Sequence, residues 1–223
     1  TNLPQMNRLA EKQGVLHRGG ISMSGDGHII PNHDFVLEVG YGGMRDIAKQ
    51  HLAEDKDLTE EQTDFYQAVI ITMDAALNYC KRFSLLAKEE AAQTADAKRR
   101  DELLAMSEMF AHLMEGKAQN FYEAVETVYL THLLMMIESN GHSFSFGRFD
   151  QYVWPFYEAD INSGKISKEK ALEILTHFFI MTNSLNKVRP WGHTQYSGGY
   201  PLYSNLMVGG MTPDGTDGTN DLS

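Results

Sequence analysis

Apolar positions recur every three or four residues over the middle of the chain, which is the spacing of one face of an α-helix. The pattern is most regular in DLTEEQTDFYQAVIITMDAALNYCKRFSLLAKEEA. Its apolar stripe consists of Val69, Met73, Ala76, Leu77, Cys80 and Phe83. Thr59 followed by Gln62 is typical of a capping box, so this helix is predicted to begin beside Thr59.

Four further helical segments are predicted along the chain. They are roughly 95–112, the stretch NFYEAVETVYLTHLLMMIES, a segment that begins at Arg148 and is interrupted at Pro155, and GKISKEKALEILTHFFIMTNSLNK behind a Ser167 cap. In the second of these, one face carries Phe121, Val125, Val128, His132 and Met136. His132 therefore fits a core histidine better than a ligand.

Glycine replaces the helical pattern near the start of the chain. HRGG, GDGH and GYGG all lie within the first 45 residues. We expect loops and turns there, with a short strand at GHIIP.

The end of the chain shows a similar change in composition. LYSNLMVGG is consistent with a buried strand, and turns are predicted at Asp214–Gly215 and Asp217–Gly218. The closing TNDLS favours the start of a helix, capped by Thr219 or Asn220. The pattern as a whole predicts one predominantly helical unit with a few strands.

Composition narrows the classes of function. The 223 residues are 42% apolar and 22% charged, and the net charge is -11. This charge argues against nucleic acid and against anionic membrane surfaces as partners. The apolar run LTHLLMMI is eight residues long, far short of the roughly 20 that cross a bilayer. The single cysteine, Cys80, suits a reducing compartment, and we expect a cytoplasmic protein.

Most motifs that could carry chemistry have a simpler structural interpretation. Cys80 lies on the apolar stripe, where a free cysteine behaves as a small hydrophobic residue. A metal-dependent hydrolase built on His28 and His33–Asp34 lacks the ligand spacing that such a site needs. The sequence contains no P-loop, no dinucleotide fingerprint and no GxSxG elbow.

The stretch ESNGHSFSFGRFDQY is the strongest candidate for a functional segment. Glycine, polar groups and aromatic residues together are typical of a pocket for a small polar ligand. Equally, Ser143, Arg148 and Asp150 could cap helix ends and pair with one another. Residue types alone leave both interpretations open.

At these residues the chain resembles the glycyl radical enzymes, the pyruvate formate-lyase-like group. The similar stretches occur in the family's order: DGHIIPNHDFVLEVGYGGM, NFYEAVETVYLTHLL, ESNGHSFSFGRFDQYVWPFYEADINSGKIS and LYSNLMVGGMTPDGTDGTNDLS. They look closer to the dehydratase, decarboxylase and lyase branches than to pyruvate formate-lyase, a formate C-acetyltransferase. The resemblance implies an α/β fold, a ten-stranded barrel with helices outside, of which residues 1–223 are a predominantly helical part truncated at both ends.

The resemblance also implies radical chemistry on a small-molecule substrate. In the family, a separate radical S-adenosylmethionine activating enzyme installs a radical on a glycine. That radical generates a cysteine thiyl, which abstracts hydrogen from the substrate. A homodimer is implied as well.

Three positions match residues of the family's substrate pocket. His28 matches a histidine that binds a substrate hydroxyl, Ser143 a serine that contacts substrate, and Phe149 an aromatic that lines the pocket. Arg148 and Asp150 are assigned to structural pairing.

The chain departs from the family in its catalytic residues. The sequence contains neither a Cys-x-Glu loop nor an RVxGY-like glycine segment, and Cys80 matches a helix outside the site. We therefore expect an internal fragment that is inactive and poorly folded alone, with the radical glycine outside it. A stand-alone helical binding module is the alternative. The substrate stays open: aromatics in RPWGHTQYSGGYPLYSN favour a ring-bearing substrate, whereas His28 favours a hydroxyl-bearing one.

Overall fold

The main elements are, in chain order, four helices, a short strand, three more helices and a second short strand. A computed structural model describes residues 9–10, 12–14, 27–139, 141, 143–185 and 202–223. Its main elements are α1 (His33–Glu54), α2 (Glu60–Gln93), α3 (Ala97–Glu115), α4 (Phe121–Ser139), β1 (Gly147–Arg148), α5 (Phe149–Tyr152), α6 (Trp154–Asn162), α7 (Lys168–Ser184) and β2 (Leu206–Met207). The five predicted helical segments are all confirmed.

Side-chain caps set the starts of several helices. At α2, Thr59 Oγ1 accepts a hydrogen bond from the Gln62 amide at 3.2 Å, and Gln62 Oε1 accepts one from the Thr59 amide at 2.9 Å. This is the predicted capping box. Ser167 Oγ accepts from the Lys170 amide at the start of α7, also as predicted. Pro155 lies in the first turn of α6, where a missing amide proton costs nothing.

Helix α4 lies at the centre of the molecule. All five residues of its predicted face are at most 8% exposed, which confirms the buried stripe. One side of α4 joins a cluster with α6 and α7 that includes Val128, Tyr157 and Phe178. Its other side joins α1, α2 and α3, where Leu130 packs with Cys80. A helix that is apolar all round is expected to be buried in this way.

The expectation of loops and turns across the first 45 residues is wrong from His33 onward. Asn32 caps α1 by accepting from the Phe35 amide at 3.2 Å, and the helix then runs through GYGG. Gly40 has φ 70°, which bends α1 at that point. A Cβ at Gly40 would lie 2.7 Å from the Gly116 carbonyl oxygen. The glycine thus serves a kink and a close approach to the end of α3, rather than a turn between elements.

Strand pairing is parallel and short. Ile29 forms an isolated parallel bridge with Phe144, and β1 pairs with β2 so that Gly147 lies opposite Leu206. The strand predicted at GHIIP is therefore a single bridge. The strand predicted in LYSNLMVGG is confirmed at β2, but its burial is wrong, since Met207 and Val208 are 47% and 48% exposed.

The last residues fold back over β1 as a set of turns. Met211 and Asp217 form an antiparallel bridge around the turn predicted at Asp214–Gly215, which is confirmed. Asn220 Oδ1 accepts from the Leu222 amide at 2.9 Å, the kind of contact expected of an N-cap residue. Among the residues described above, no helix combines the length and apolar character that a membrane span requires.

Candidate functional site

An open cavity of about 570 Å³ lies at the amino-terminal side of the parallel strand segments. Three parts of the chain line it, and the residues are His28, Ile29, Ile30, Ser143, Ser145, Tyr203 and Asn205. Two of the three residues predicted to bind substrate, His28 and Ser143, are thus brought together in one wall.

Backbone strain is concentrated in this wall. His28, Ser143 and Tyr203 have φ values of 46°, 60° and 54°. Within the described part of the chain, these are the residues other than glycine with positive φ. Such a conformation costs on the order of 1 kcal/mol or more for each residue and tends to cluster at functional sites. All three line the cavity, which marks it as the candidate site.

Backbone hydrogen bonds hold the three parts of the wall in register. The Ser143 amide donates to the Leu202 carbonyl at 2.6 Å, and the Ser145 amide donates to the Ile29 carbonyl at 2.9 Å. The Asn205 amide donates to Ser145 Oγ at 3.1 Å. Since Ser145 bonds to both neighbouring segments, the strand that carries it is the centre of the wall.

Gly27 allows the first segment to approach that central strand. A Cβ at Gly27 would lie 1.7 Å from a ring carbon of Phe144. Phe144 is only 4% exposed, so its ring has little room to move away. The glycine next to His28 is therefore required by packing.

The polar groups of the wall are hydrogen-bonding groups rather than carboxylates, ammonium or guanidinium groups. They are one imidazole, two serine hydroxyls, one phenol and one amide, beside the two isoleucines. No lysine, arginine, aspartate or glutamate is among the described lining residues. Groups of this kind donate and accept hydrogen bonds, which suits a small hydroxylated ligand.

Two buried histidines lie behind the wall. Residues alternate along a strand, so Phe146 faces the core on the side opposite Ser145. The ring of Phe146 lies 4.5 Å from that of His132 and 6.5 Å from that of His33. Burial lowers the pKa of both imidazoles to about 4, and for His33 the neighbouring His132 adds to the effect. Both are neutral at physiological pH, which confirms His132 as a core residue.

These histidines do not form a metal site in the described residues. His33 Nδ1 and Nε2 and His132 Nε2 have no hydrogen-bond partner among the residues that the structure describes. The same residues hold no group of three or more His, Cys, Asp or Glu side chains placed to bind a metal ion.

Phe149 lies apart from the cavity. It is 3% exposed, stacks on Phe178 at 4.9 Å and meets Tyr152 edge to face at 5.7 Å. Because α5 begins at Phe149, the chain turns away from the strand and directs this ring into the core. Among the described residues it is not part of this cavity's wall, so the structure does not bring it together with His28 and Ser143. Its place in the substrate pocket stays a prediction.

Arg148 and Asp150 have separate partners, so the expectation that they pair with each other is wrong. Arg148 donates to the Met211 carbonyl, and Asp150 accepts from the Gly209 amide. Both instead bind the segment that follows β2.

A family model described as pyruvate formate lyase-like matches residues 2–223 of the sequence. The chain belongs to this family of glycyl radical enzymes. Its fold agrees with that assignment, since the predominantly helical structure matches part of a solved member. That member is the glycerol-bound form of the B12-independent glycerol dehydratase from Clostridium butyricum. The two share 37% sequence identity with a TM-score of 0.84, and the match covers 99% of this chain and 28% of that one.

Curated relatives of this glycyl radical enzyme chain include dehydratases. "Probable dehydratase YbiW" of Escherichia coli strain K12 is 37% identical over 219 residues, which is 94% of this chain and 27% of the relative. The (2S)-3-sulfopropanediol dehydratase of Klebsiella oxytoca is 33% identical over 204 residues, 90% of this chain and 25% of the relative. The chain therefore spans about a quarter of the length of these relatives.

Cys80 lies in the core and not in the described wall of the cavity. Its side chain is fully buried between α2 and its neighbours, and burial raises the pKa of the thiol to about 11. A neutral, inaccessible thiol is a packing residue, which confirms the assignment from its apolar stripe.

Sequence reasoning missed part of the candidate site. Ser145, Tyr203 and Asn205 line the cavity but were not named individually as site residues. The sequence did carry a signal for them, since they lie in ESNGHSFSFGRFDQY and RPWGHTQYSGGYPLYSN, two of the stretches discussed above. Most of RPWGHTQYSGGYPLYSN lies outside the described residues, so its predicted role in substrate choice is not addressed.

Proposed function

We propose that this chain forms part of the substrate-binding wall of a glycyl radical dehydratase or lyase that acts on a small hydroxyl-bearing molecule. The observation that carries the proposal is the polar cavity, whose described lining holds no lysine, arginine, aspartate or glutamate and in which His28 and Ser143 stand together in left-handed backbone conformations. Family membership over residues 2–223 supports an enzyme over the alternative of a helical binding module.

In this proposal, His28 and Ser143 bind substrate hydroxyl groups rather than perform the bond-breaking step. An imidazole and a serine hydroxyl can each both donate and accept a hydrogen bond, as a hydroxyl ligand requires. Tyr203 and Asn205 extend the polar wall on its other side. Fixing a substrate in this way orients the hydrogen atom that is to be abstracted.

The radical itself comes from other parts of the enzyme in this proposal. The 223 residues contain no Cys-x-Glu loop and no RVxGY-like segment. The complete enzyme is then a ten-stranded barrel, a homodimer served by a radical S-adenosylmethionine activating enzyme. An enclosing barrel would keep the radical from solvent.

A neutral diol or triol is the substrate class that this wall favours. A sulfonated substrate, as in the Klebsiella relative's name, brings a negative charge that is costly to bury without a cation. The described lining supplies no cation. The Clostridium relative, whose structure holds glycerol, is the better guide to this chain.

The experiment compares His28→Ala and Ser143→Ala in the complete enzyme, with glycerol as the first substrate. Each variant removes a hydrogen bond to a hydroxyl, so turnover should fall roughly tenfold or more. The glycyl radical signal in electron paramagnetic resonance should keep its wild-type intensity. Exposed His177→Ala and Ser163→Ala are the matched controls.

Two results would contradict the assignment of these residues. A weakened radical signal in either variant would mean a structural role. Wild-type turnover of glycerol and of 1,2-propanediol in both variants would remove His28 and Ser143 from the substrate site.

A further inference from the structure

Two side chains of α5 hold both backbone groups of one residue after β2. The Gly209 amide donates to Asp150 Oδ2 at 2.6 Å, and Gln151 Nε2 donates to the Gly209 carbonyl at 2.9 Å. Gly209 has φ 63°, so this grip lies where the chain turns sharply. We call Asp150, Gln151 and Gly209 the clamp.

Further contacts tie the same short helix to the rest of the closing segment. Asn220 Nδ2 donates to the Asp150 carbonyl at 3.0 Å, and Ser223 Oγ donates to Asp150 Oδ2. The Asp150 carboxylate thus accepts from two donors that are far apart in sequence but belong to one segment.

Burial makes Asp150 an unusual residue. Its exposed fraction is 0%, and its Oδ1 has no hydrogen-bond partner among the described residues. No lysine or arginine in the described part of the chain forms a salt bridge with it. A buried carboxyl group without a cation is unfavourable unless hydrogen bonds to it compensate. A buried carboxyl group of this kind is expected where its oxygens are needed as hydrogen-bond acceptors.

The clamp lies a few residues after the third part of the cavity wall. Tyr203 and Asn205 line the cavity, β2 follows them, and Gly209 follows β2. At the cavity end, the Phe146 amide donates to the Asn205 carbonyl at 2.8 Å. Residues 206–208, between the cavity and Gly209, are partly exposed and pair with β1 through β2. The position of this stretch against the cavity is therefore set by the Phe146–Asn205 bond at one end and by the clamp at the other.

We propose that Asp150 is a positioning residue for the cavity, because it fixes Gly209 and thereby the placement of Tyr203 and Asn205. The inference rests on the proposed function in that the cavity is taken to bind substrate. Asp150 acts through the backbone and does not itself reach the cavity wall. Arg148, which donates to the Met211 carbonyl, supports the same segment two residues later.

The test compares Asp150→Ala, Asp150→Asn and Gln151→Ala by hydrogen–deuterium exchange of the intact protein. Asp150→Ala should speed exchange in residues 202–212 at least tenfold and leave α2 and α3 as in the wild type. Asp150→Asn keeps an acceptor for the Gly209 amide and should restore most of the protection. Gln151→Ala removes the other half of the clamp, so the same residues should show a smaller increase.

Asp160→Ala is the matched control. Asp160 is 3% exposed and accepts from the Phe121 amide at 2.8 Å, but it contacts no residue of the cavity wall in the described contacts. Its variant should loosen the start of α4 without changing exchange in residues 202–212. With glycerol as substrate, Asp150→Ala should raise KM more than it lowers kcat, whereas Asp160→Ala should change neither by more than twofold.

The outcomes separate this inference from the proposed function. The clamp would be overturned if residues 202–212 exchanged at the wild-type rate both in Gln151→Ala and in a folded Asp150→Ala protein. If Asp150→Ala does not fold, the exchange measured in Gln151→Ala decides alone. Faster exchange there, with no effect of His28→Ala or Ser143→Ala on glycerol turnover, would support the clamp and reject the cavity as the substrate site.

Discussion

His28, Ser143 and Tyr203 adopt left-handed backbone conformations although none of them is glycine. Asparagine, aspartate and histidine tolerate that region better than other residues do, so backbone preference accounts for His28 but not for Ser143 or Tyr203. All three residues line the cavity. At this site the side-chain chemistry outweighs the backbone preference. The packing of the surrounding strands and helices offsets the backbone strain.

Gly27→Ala tests the packing beside His28. The new Cβ would overlap the ring of Phe144, and such overpacking lowers the free energy of unfolding by about 1–3 kcal/mol. It should also weaken glycerol binding, since the first and second parts of the wall would be pushed apart. Urea denaturation and the KM for glycerol measure the two effects.

Gly164→Ala is the control for that substitution. Gly164 has φ 70°, and no atom lies within 4 Å of the position that a Cβ would take, so its variant carries backbone strain without a clash. It should leave the KM unchanged. A Gly27→Ala protein that is as stable as wild type and binds glycerol normally would rule out the proposed role of the close approach.

At the scale of elements, local signals predicted the helices well but gave the position of the strands without their extent, burial or pairing. The apolar stripes, the Thr59 box and the Ser167 cap each lie within one element, so the sequence reveals them. Glycines in GYGG concealed α1, because Gly40 is accommodated by a kink against Gly116, a partner far along the chain. Strand register depends on such distant partners, so the cavity wall could be predicted only where the family resemblance supplied His28 and Ser143.

The capping box of α2 gives a prediction at this scale. Thr59→Ala removes the acceptor for the Gln62 amide and should lower the free energy of unfolding by about 1 kcal/mol. Thr59→Ser keeps the hydroxyl and should recover most of the loss, as measured by thermal or urea denaturation. Equal stability of Thr59→Ala and the wild type would show that α2 is held by tertiary packing alone.

At the scale of the whole molecule, α4 joins two apolar clusters into one core. Phe146, which backs the cavity wall, packs in the cluster formed with α6 and α7. The two neutral histidines, His33 and His132, lie beside it. Protonation of either imidazole would place an unpaired charge in this core, so the stability of the molecule depends on pH through them.

Acid should destabilise the protein between pH 6.5 and about 4. Burial lowers the pKa of His132 from 6.5 to about 4, so the unfolded chain binds its proton first as the pH falls. The stabilising contribution is complete above pH 6.5 and is lost progressively below it. From pH 7 to pH 5 this one group should account for about 2 kcal/mol.

His132→Phe removes that titration and should flatten the dependence of stability on pH. Urea midpoints at pH 7 and pH 5 measure the slope in the variant and in the wild type. Exposed His177→Gln removes an imidazole without opening the core and serves as the control. An unchanged slope in His132→Phe would mean that other groups are responsible for the acid sensitivity.

The bridge between Ile29 and Phe144 has a consequence for the order of folding. Helices α1, α2, α3 and α4 all lie between these two residues in sequence. Contacts between α2 and α3 close only a short loop, whereas the bridge must wait until a long stretch of chain has been compacted. We expect the cavity to be among the last parts of the molecule to form during refolding, so that recovery of ligand binding lags behind recovery of helical signal.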